Sequence, residues 1–145
     1  MNKILMYHSI GSANSSEMGA DLYSVPVDNF KQQMDYIFGI TITFDDGLLN
    51  NYTVAYPILK EKGLKGYFFI LVSKVGTPGY MNWQQIKDLQ DNGMTISSHG
   101  MTHRILTEIN DSDLDYELKE SKKILEEKLG RKVKYFSIPR GFYNQ

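Results

Sequence analysis

Cysteine is absent from this 145-residue chain. No disulfide framework can brace the fold, and a structural zinc held by thiolates is excluded. The gap is neutral about compartment, since exported proteins also occur without cysteine. An excess of charge of either sign is lacking too. The chain has 16 Lys and Arg against 17 Asp and Glu, interspersed, for a net charge of −1. Neither nucleic acid nor an anionic membrane is implied as a partner. No apolar run is long enough for a transmembrane segment, and no basic segment leads into an apolar signal core at the N-terminus. The chain as written is expected to be soluble, with secretion or a cell-surface location following only if an export signal was removed. Internal repeats and low-complexity tracts are missing. Histidine occurs only three times, so where it stands is informative.

What is present alternates strand and helix, which argues an α/β fold. A polar loop rich in Gly, Ser and Asn covers 11–24. A helix entered through Pro26 is expected over 28–38, and a strand over 40–44, where β-branched and aromatic residues alternate. A helix over 49–62 should kink at Pro57. The run 66–72, with Tyr67 and Phe68 as core residues, reads as a fully buried strand. A short helix over 82–92 stops at Gly93 and leads into a strand over 94–97. The clearest helix spans 112–129, with Leu114, Leu118, Ser121, Leu125 and Leu129 along one stripe and Gly130 ending it. Its charged side, including Lys119 to Lys123, is expected to face solvent. At this length one domain, 1–145, would bury roughly two-thirds of its unfolded surface. That is short for a complete (β/α) barrel.

Chemistry concentrates in two segments. Thr41-Ile42-Thr43-Phe44-Asp45-Asp46-Gly47 places two carboxylates directly after a strand. Neighbours on a regular strand point to opposite faces, so Asp45 and Asp46 can serve one point only if the chain turns, which Gly47 allows. The plainer reading is an acidic turn capping the next helix. Ser98-His99-Gly100-Met101-Thr102-His103 spaces two histidines i, i+4. If that loop turns helically, both rings leave one face with β-carbons about 5–6 Å apart. The plainer reading is a pair of surface histidines. Asp46, His99 and His103 with Asp45 beside them make the inventory of a metal-assisted hydrolase, with nitrogen and oxygen ligands and an open coordination position.

These residues carry a resemblance to a known family. TFDDG, SHGMTH and FSIPRGFYN (136–144), in that order, resemble the first three motifs of the polysaccharide deacetylases, the NodB-homology domain of carbohydrate esterase family 4. The stretch MNWQQIKDLQDNGMTISSHGMTH (81–103) is similar to that family's helix, strand and histidine motif. The opening ILMYHSI (4–10) looks like the first strand of the branch acting on poly-N-acetylglucosamine and related exopolysaccharides. The resemblance implies a distorted, incomplete (β/α) barrel with its site at the carboxyl ends of the strands. It implies one divalent metal ion on Asp46, His99 and His103, zinc first, with cobalt, nickel and iron also compatible with such ligands. Asp45 would be the general base. The backbone amide of Arg140 would help hold the tetrahedral oxygen, its guanidinium could orient Asp45, and Tyr143 would line the acetyl pocket. A solvated Arg140 at a strand end is the plainer alternative.

Departures from the family pattern also matter. Ser137 stands where many members carry an arginine, and Arg140 where they carry an aromatic residue. The first helix runs into the TFDDG strand with almost no linker. The sequence stops at Gln145, ahead of the family's later motifs, which supply a tuning aspartate or tryptophan and the histidine that protonates the leaving amine; a truncated product and a fragment of a longer chain are both left open. His8 is a candidate accessory acid, against the plainer role of anchoring a rim loop. Tyr80, Trp83, Phe142 and Tyr143 could stack on sugars, with core packing the default for Trp83. The implied activity is metal-dependent hydrolysis of N-acetyl groups on an amino-sugar polysaccharide: poly-N-acetylglucosamine, a chitin-like polymer or the glycan of peptidoglycan. The alternatives are a catalytically impaired glycan-binding remnant and an O-acetyl esterase on xylan-like polymers. No oligomeric state is implied.

Overall fold

β-branched and aromatic runs form the strands at the centre of the fold, and they pair side by side in one direction. In the computed structural model, which describes residues 3–12 and 20–144, β1 (Lys3–Tyr7), β4 (Ile40–Phe44), β5 (Gly66–Ile70) and β6 (Thr95–Ser98) form a parallel sheet in the order β1-β4-β5-β6. The expected first strand breaks at His8. Its last two residues, β2 (Ser9–Ile10), leave the sheet and pair with β3 (Ser24–Val25). The polar loop expected over 11–24 is partly seen, as a 3₁₀ turn at Ala20–Tyr23, while 13–19 lie outside the described residues. The sheet is open. Beyond β6 it is extended by an isolated bridge between Ser98 and Phe136, and Ile4 and Met6 of β1 are exposed.

Register decides which side chains share a face. Tyr7 pairs with Phe44, and Phe44 with Phe68, so with a strand period of two these rings lie on the same side. They stack, with ring centroids 5.7 Å apart for Tyr7–Phe44 and 4.7 Å for Phe44–Phe68. Phe30 of α1 (Val27–Met34) closes edge-on over Tyr7 at 5.0 Å. Such ring pairs contribute about 0.5–1.5 kcal/mol each beyond the area they bury. Tyr67, expected in the core, falls on the opposite face. It is half-buried there, with Tyr135 edge-on.

Two expected helices contain a π-turn. The helix after the acidic turn passes through a π-turn at Asn51–Ala55 into α2 (Tyr56–Glu61), with Pro57 at its start. Proline lacks the N–H that an unbroken α-helix would use there, and the wide turn just before it takes the place of the expected kink. The second case runs from α4 (Asp111–Asp115) through a π-turn at Tyr116–Glu120 into α5 (Ser121–Leu129), which ends at left-handed Gly130. α3 (Trp83–Asp91) starts with a reciprocal capping box between Asn82 and Gln85. α1 is shorter than expected, ending at Met34.

Because every strand of the sheet runs the same way, their carboxyl ends form one rim, where α/β sheets place ligands. His8 follows β1, Asp45 follows β4 and His99 follows β6. Both Asp45 and His99 still hold the ladder, their amides donating to Tyr7 O and Ile70 O at 2.9 Å each.

Candidate metal centre and active site

Two strands away from each other, roughly 10 Å apart by strand spacing, β4 and β6 can share a ligand only if their loops bend inward. Among the described residues the non-glycine positions in the left-handed region are Asp46 (φ 73°), His103 (φ 66°) and Arg140 (φ 59°). All are candidate site residues. Such backbone is rare for L-residues and concentrates where surrounding structure enforces it for function. At Asp46 it cancels the alternation of the strand, so consecutive carboxylates no longer point to opposite faces. Gly47 continues the turn at φ 77°. A Cβ there would press to 3.3 Å from Ile70 Cδ1.

Asp46, His99 and His103 converge, each offering one ligand atom, with these atoms all within 4.8 Å of one another. Asp46 Oδ1 lies 3.3 Å from His99 Nε2 and 3.6 Å from His103 Nε2. The imidazole rings are 5.0 Å apart. The helical turn expected between the histidines is not the reason. The loop after β6 is irregular, and it is the left-handed backbone at Gly100 (φ 88°) and His103 that brings the rings together.

The tautomer of His99 follows from its neighbour. Its Nδ1 is 2.9 Å from the carbonyl of Ser137, and a carbonyl only accepts, so Nδ1 carries the hydrogen. In the neutral ring Nε2 then presents a lone pair towards the Asp46 carboxylate, acceptor against acceptor. Both Nε2 of His99 and Oδ1 of Asp46 are buried and unsatisfied as hydrogen-bonding atoms among the described residues. Such an arrangement calls for a cation between them, and a divalent ion with N/O ligands fits.

The carboxylates and imidazoles of the cluster also bias one another's titration. Burial pushes the Asp46 carboxyl up, but contact with His99 and the charges of His99, His8 and His103 outweigh it and leave the pKa below its ordinary value. Burial pushes His99 down, yet Asp46 and Asp45 reverse this and leave it raised. Asp45 behaves differently. Burial dominates and raises it, against the opposing effects of His99, a hydrogen bond from Ser137, and His8.

That hydrogen bond corrects one expectation. Asp45 Oδ2 is held by the Ser137 hydroxyl at 2.8 Å, the residue that departs from the family pattern, and not by the Arg140 guanidinium. Arg140 is exposed, and follows buried Pro139 in a 3₁₀ turn at Pro139–Gly141. Ser137 thus braces two groups, Asp45 by its side chain and His99 by its carbonyl. Ser137→Ala should keep the fold and lower turnover by about 10–100-fold, as loss of a ligand-orienting or base-orienting hydrogen bond commonly does. Steady-state kinetics beside a thermal melt would check this, and unchanged kcat would remove the brace.

His8 stands on the same rim, close enough for its charge to lower both Asp45 and Asp46. Its ring lies 5.1 Å from that of Tyr23, and Asn51 Nδ2 donates to its carbonyl at 2.6 Å. Tyr143, expected to line a pocket, is 75 % exposed, so it is available to a ligand from solvent rather than packed as a wall. Phe142 is exposed, whereas Trp83 packs against the core as expected.

Asn51 and Glu117 went unread in the sequence. Asn51 is fully buried at the start of a helix. Two adjacent asparagines, poor helix formers, were the available signal. Glu117 is fully buried in what looked like a uniformly charged helix, and its amides and hydroxyl partners lie in the histidine loop.

Comparison with known proteins identifies the family and the fold. The family model described as polysaccharide deacetylase matches residues 38–145. YxkH of Bacillus subtilis, whose name assigns it to the same family, is 29% identical over 98% of this chain, which spans 57% of YxkH. Among solved structures, the Streptococcus pyogenes deacetylase PplD in complex with acetate superposes with a TM-score of 0.86 at 27% identity, over 98% of this chain and 75% of PplD. The polysaccharide deacetylase BC0361 of Bacillus cereus gives 0.85 at 26% identity, over 98% of this chain and 52% of its own. The open parallel sheet is the architecture of these relatives.

Proposed function

We propose, because the chain belongs to the polysaccharide deacetylase family, that it hydrolyses N-acetyl groups on an amino-sugar polymer, with one divalent cation held by Asp46, His99 and His103. The observation that carries this reading is the convergence of one ligand atom from each of those residues, all within 4.8 Å of one another, with Asp46 Oδ1 and His99 Nε2 buried. Zinc suits the donor set first, and cobalt, nickel or iron would also be accepted. When bound, such an ion polarises a carbonyl and makes water a stronger acid.

The remaining work falls to the protein. Asp45 Oδ2 is tied to Ser137, while Oδ1 is buried and unsatisfied among the described residues. Oδ1 is therefore the atom that takes the proton from the attacking water. Its raised pKa improves it as an acceptor, since a base works best with a pKa near the operating pH. The amide of Arg140 serves as a donor to the tetrahedral oxygen, a kind of contact worth about 3–4 kcal/mol in the transition state. An amide releases an amine only if the nitrogen is protonated, and His8, on the same rim, is the candidate accessory acid for that proton. Phe142 and Tyr143 offer exposed rings to the sugar. PplD is seen with acetate, the product expected here. Residues 1–145 are assigned to a single NodB-like domain.

His8→Ala provides a test of the acid. Turnover of an N-acetyl sugar should fall by about 10²-fold or more, while an aryl acetate, whose leaving group needs no proton, should be hydrolysed as before. Wild-type turnover on the amide would rule out His8 as the acid. The function itself is tested by a substrate panel: N-acetylglucosamine oligomers should release acetate and a free amine. Acetate from O-acetyl xylan alone would replace the amidase reading with an esterase. Metal binding without acetate from either would leave a glycan-binding protein.

A further inference from the structure

We infer that Glu117 is a positioning residue that holds the His99–His103 loop in its ligand-presenting shape and thereby sets the affinity of the site for its cation. The inference rests on the metal-site reading above. Left-handed backbone suits Gly100 but is uncommon for a histidine such as His103, so the loop needs partners that hold its course.

Glu117 has the right contacts. It is fully buried, and a buried carboxylate persists only with its lone pairs filled. Here they are filled by the loop: Oε2 accepts the amides of Met101 at 2.7 Å and Thr102 at 3.0 Å, and Oε1 accepts the Thr102 hydroxyl. Gly100 makes room for this, since a Cβ there would lie 2.8 Å from Glu117 Oε2. The same helical segment also holds the other side of His99. Ser121 Oγ donates to Glu117 O at 2.6 Å and pairs with Ser98 Oγ at 2.8 Å, and Ser98 Oγ in turn accepts the Gly100 amide at 3.1 Å. Residues on both flanks of His99 are thus fixed to the π-turn Tyr116–Glu120, a helical irregularity of the kind that often marks functional positions. His99 has its own brace in the Ser137 carbonyl. The carbonyls of Gly100 and Met101 are held by the amides of Val72 and Ser73 at 3.1 and 3.0 Å, while Glu117 takes the amide and hydroxyl of Thr102, next to His103, so its loss should fall mainly on the reach of His103.

The experiment measures zinc affinity by competition with a chromophoric chelator, alongside the thermal midpoint of the metal-free protein. Glu117→Gln, which keeps the shape but sets an NH2 group against loop donors, should weaken zinc binding about 10–100-fold, the range seen for groups that orient ligands. Thr102→Val, which removes one surface donor and leaves the helix alone, should weaken it less, in the same direction. Leu125→Ala, in the same helix but in the core, should lower the midpoint and leave the affinity of the folded protein at the wild-type value. Wild-type affinity in Glu117→Gln and Thr102→Val would overturn the inference, as would an equal loss in Leu125→Ala. If Glu117→Gln does not fold, Thr102→Val decides alone. A wild-type protein that binds no zinc would instead defeat the metal-site reading, which is a separate result.

Discussion

Asp45→Asn is expected to keep the metal and to lose turnover by about 10²–10⁴-fold, the usual contribution of a positioned general base. The substitution is close to isosteric. The Ser137 hydroxyl, 2.8 Å from Asp45 Oδ2, can still donate to the amide oxygen of asparagine, so the loop should hold its course. The amide cannot take a proton from water, whereas Oδ1 of the carboxylate, buried and unsatisfied among the described residues, can. Asp45 is outside the converging set of Asp46, His99 and His103, so zinc should remain bound at stoichiometric concentrations. Kinetics and metal content on the same sample check both halves. Full activity in the variant would remove Asp45 as the base.

The second large effect concerns the ligands. Asp46→Ala and His103→Ala should each abolish stoichiometric metal binding and reduce activity to background. Loss should exceed the about 10–100-fold typical of residues that merely orient ligands. Backbone conformation complicates the reading, because both positions are left-handed. Asp and His are among the L-residues that tolerate this backbone best, so alanine adds a fraction of the about 1–2 kcal/mol it costs an ordinary L-residue, and some of any loss would be conformational. His103→Asn is the cleaner variant, since asparagine tolerates left-handed backbone far better than most residues. It removes the imidazole with little strain, and metal analysis should show the same loss. Retention of zinc in His103→Asn at wild-type affinity would take His103 out of the ligand set.

The alternation of apolar runs with helical stripes made the α/β class legible, since strand and helix periods differ and parallel strands need crossovers. The rim position of His8, Asp45 and His99 followed from where those runs end. Convergence was legible only as residue type and order. The turn that achieves it depends on left-handed backbone at Asp46 and His103, which no periodicity encodes, and the i, i+4 spacing suggested a helical turn where the chain has an irregular loop. Ser137 was read as a departure from the family pattern rather than as the donor to Asp45. A hydroxyl 92 positions away in sequence meets that carboxylate only through the register beyond β6. Glu117 was hidden for a related reason. Helical patterning assigns a charged residue to solvent by default, and only the π-turn and the waiting amides of the histidine loop turn this one inward.

Acetate release from N-acetylglucosamine oligomers, measured on protein stripped of metal and then titrated with zinc, tests the central claim most directly. The expected result is no activity in the stripped protein and a rise that saturates near one equivalent of zinc per chain, absent in His103→Asn. Undiminished acetate release from the stripped protein in the presence of excess chelator would contradict it.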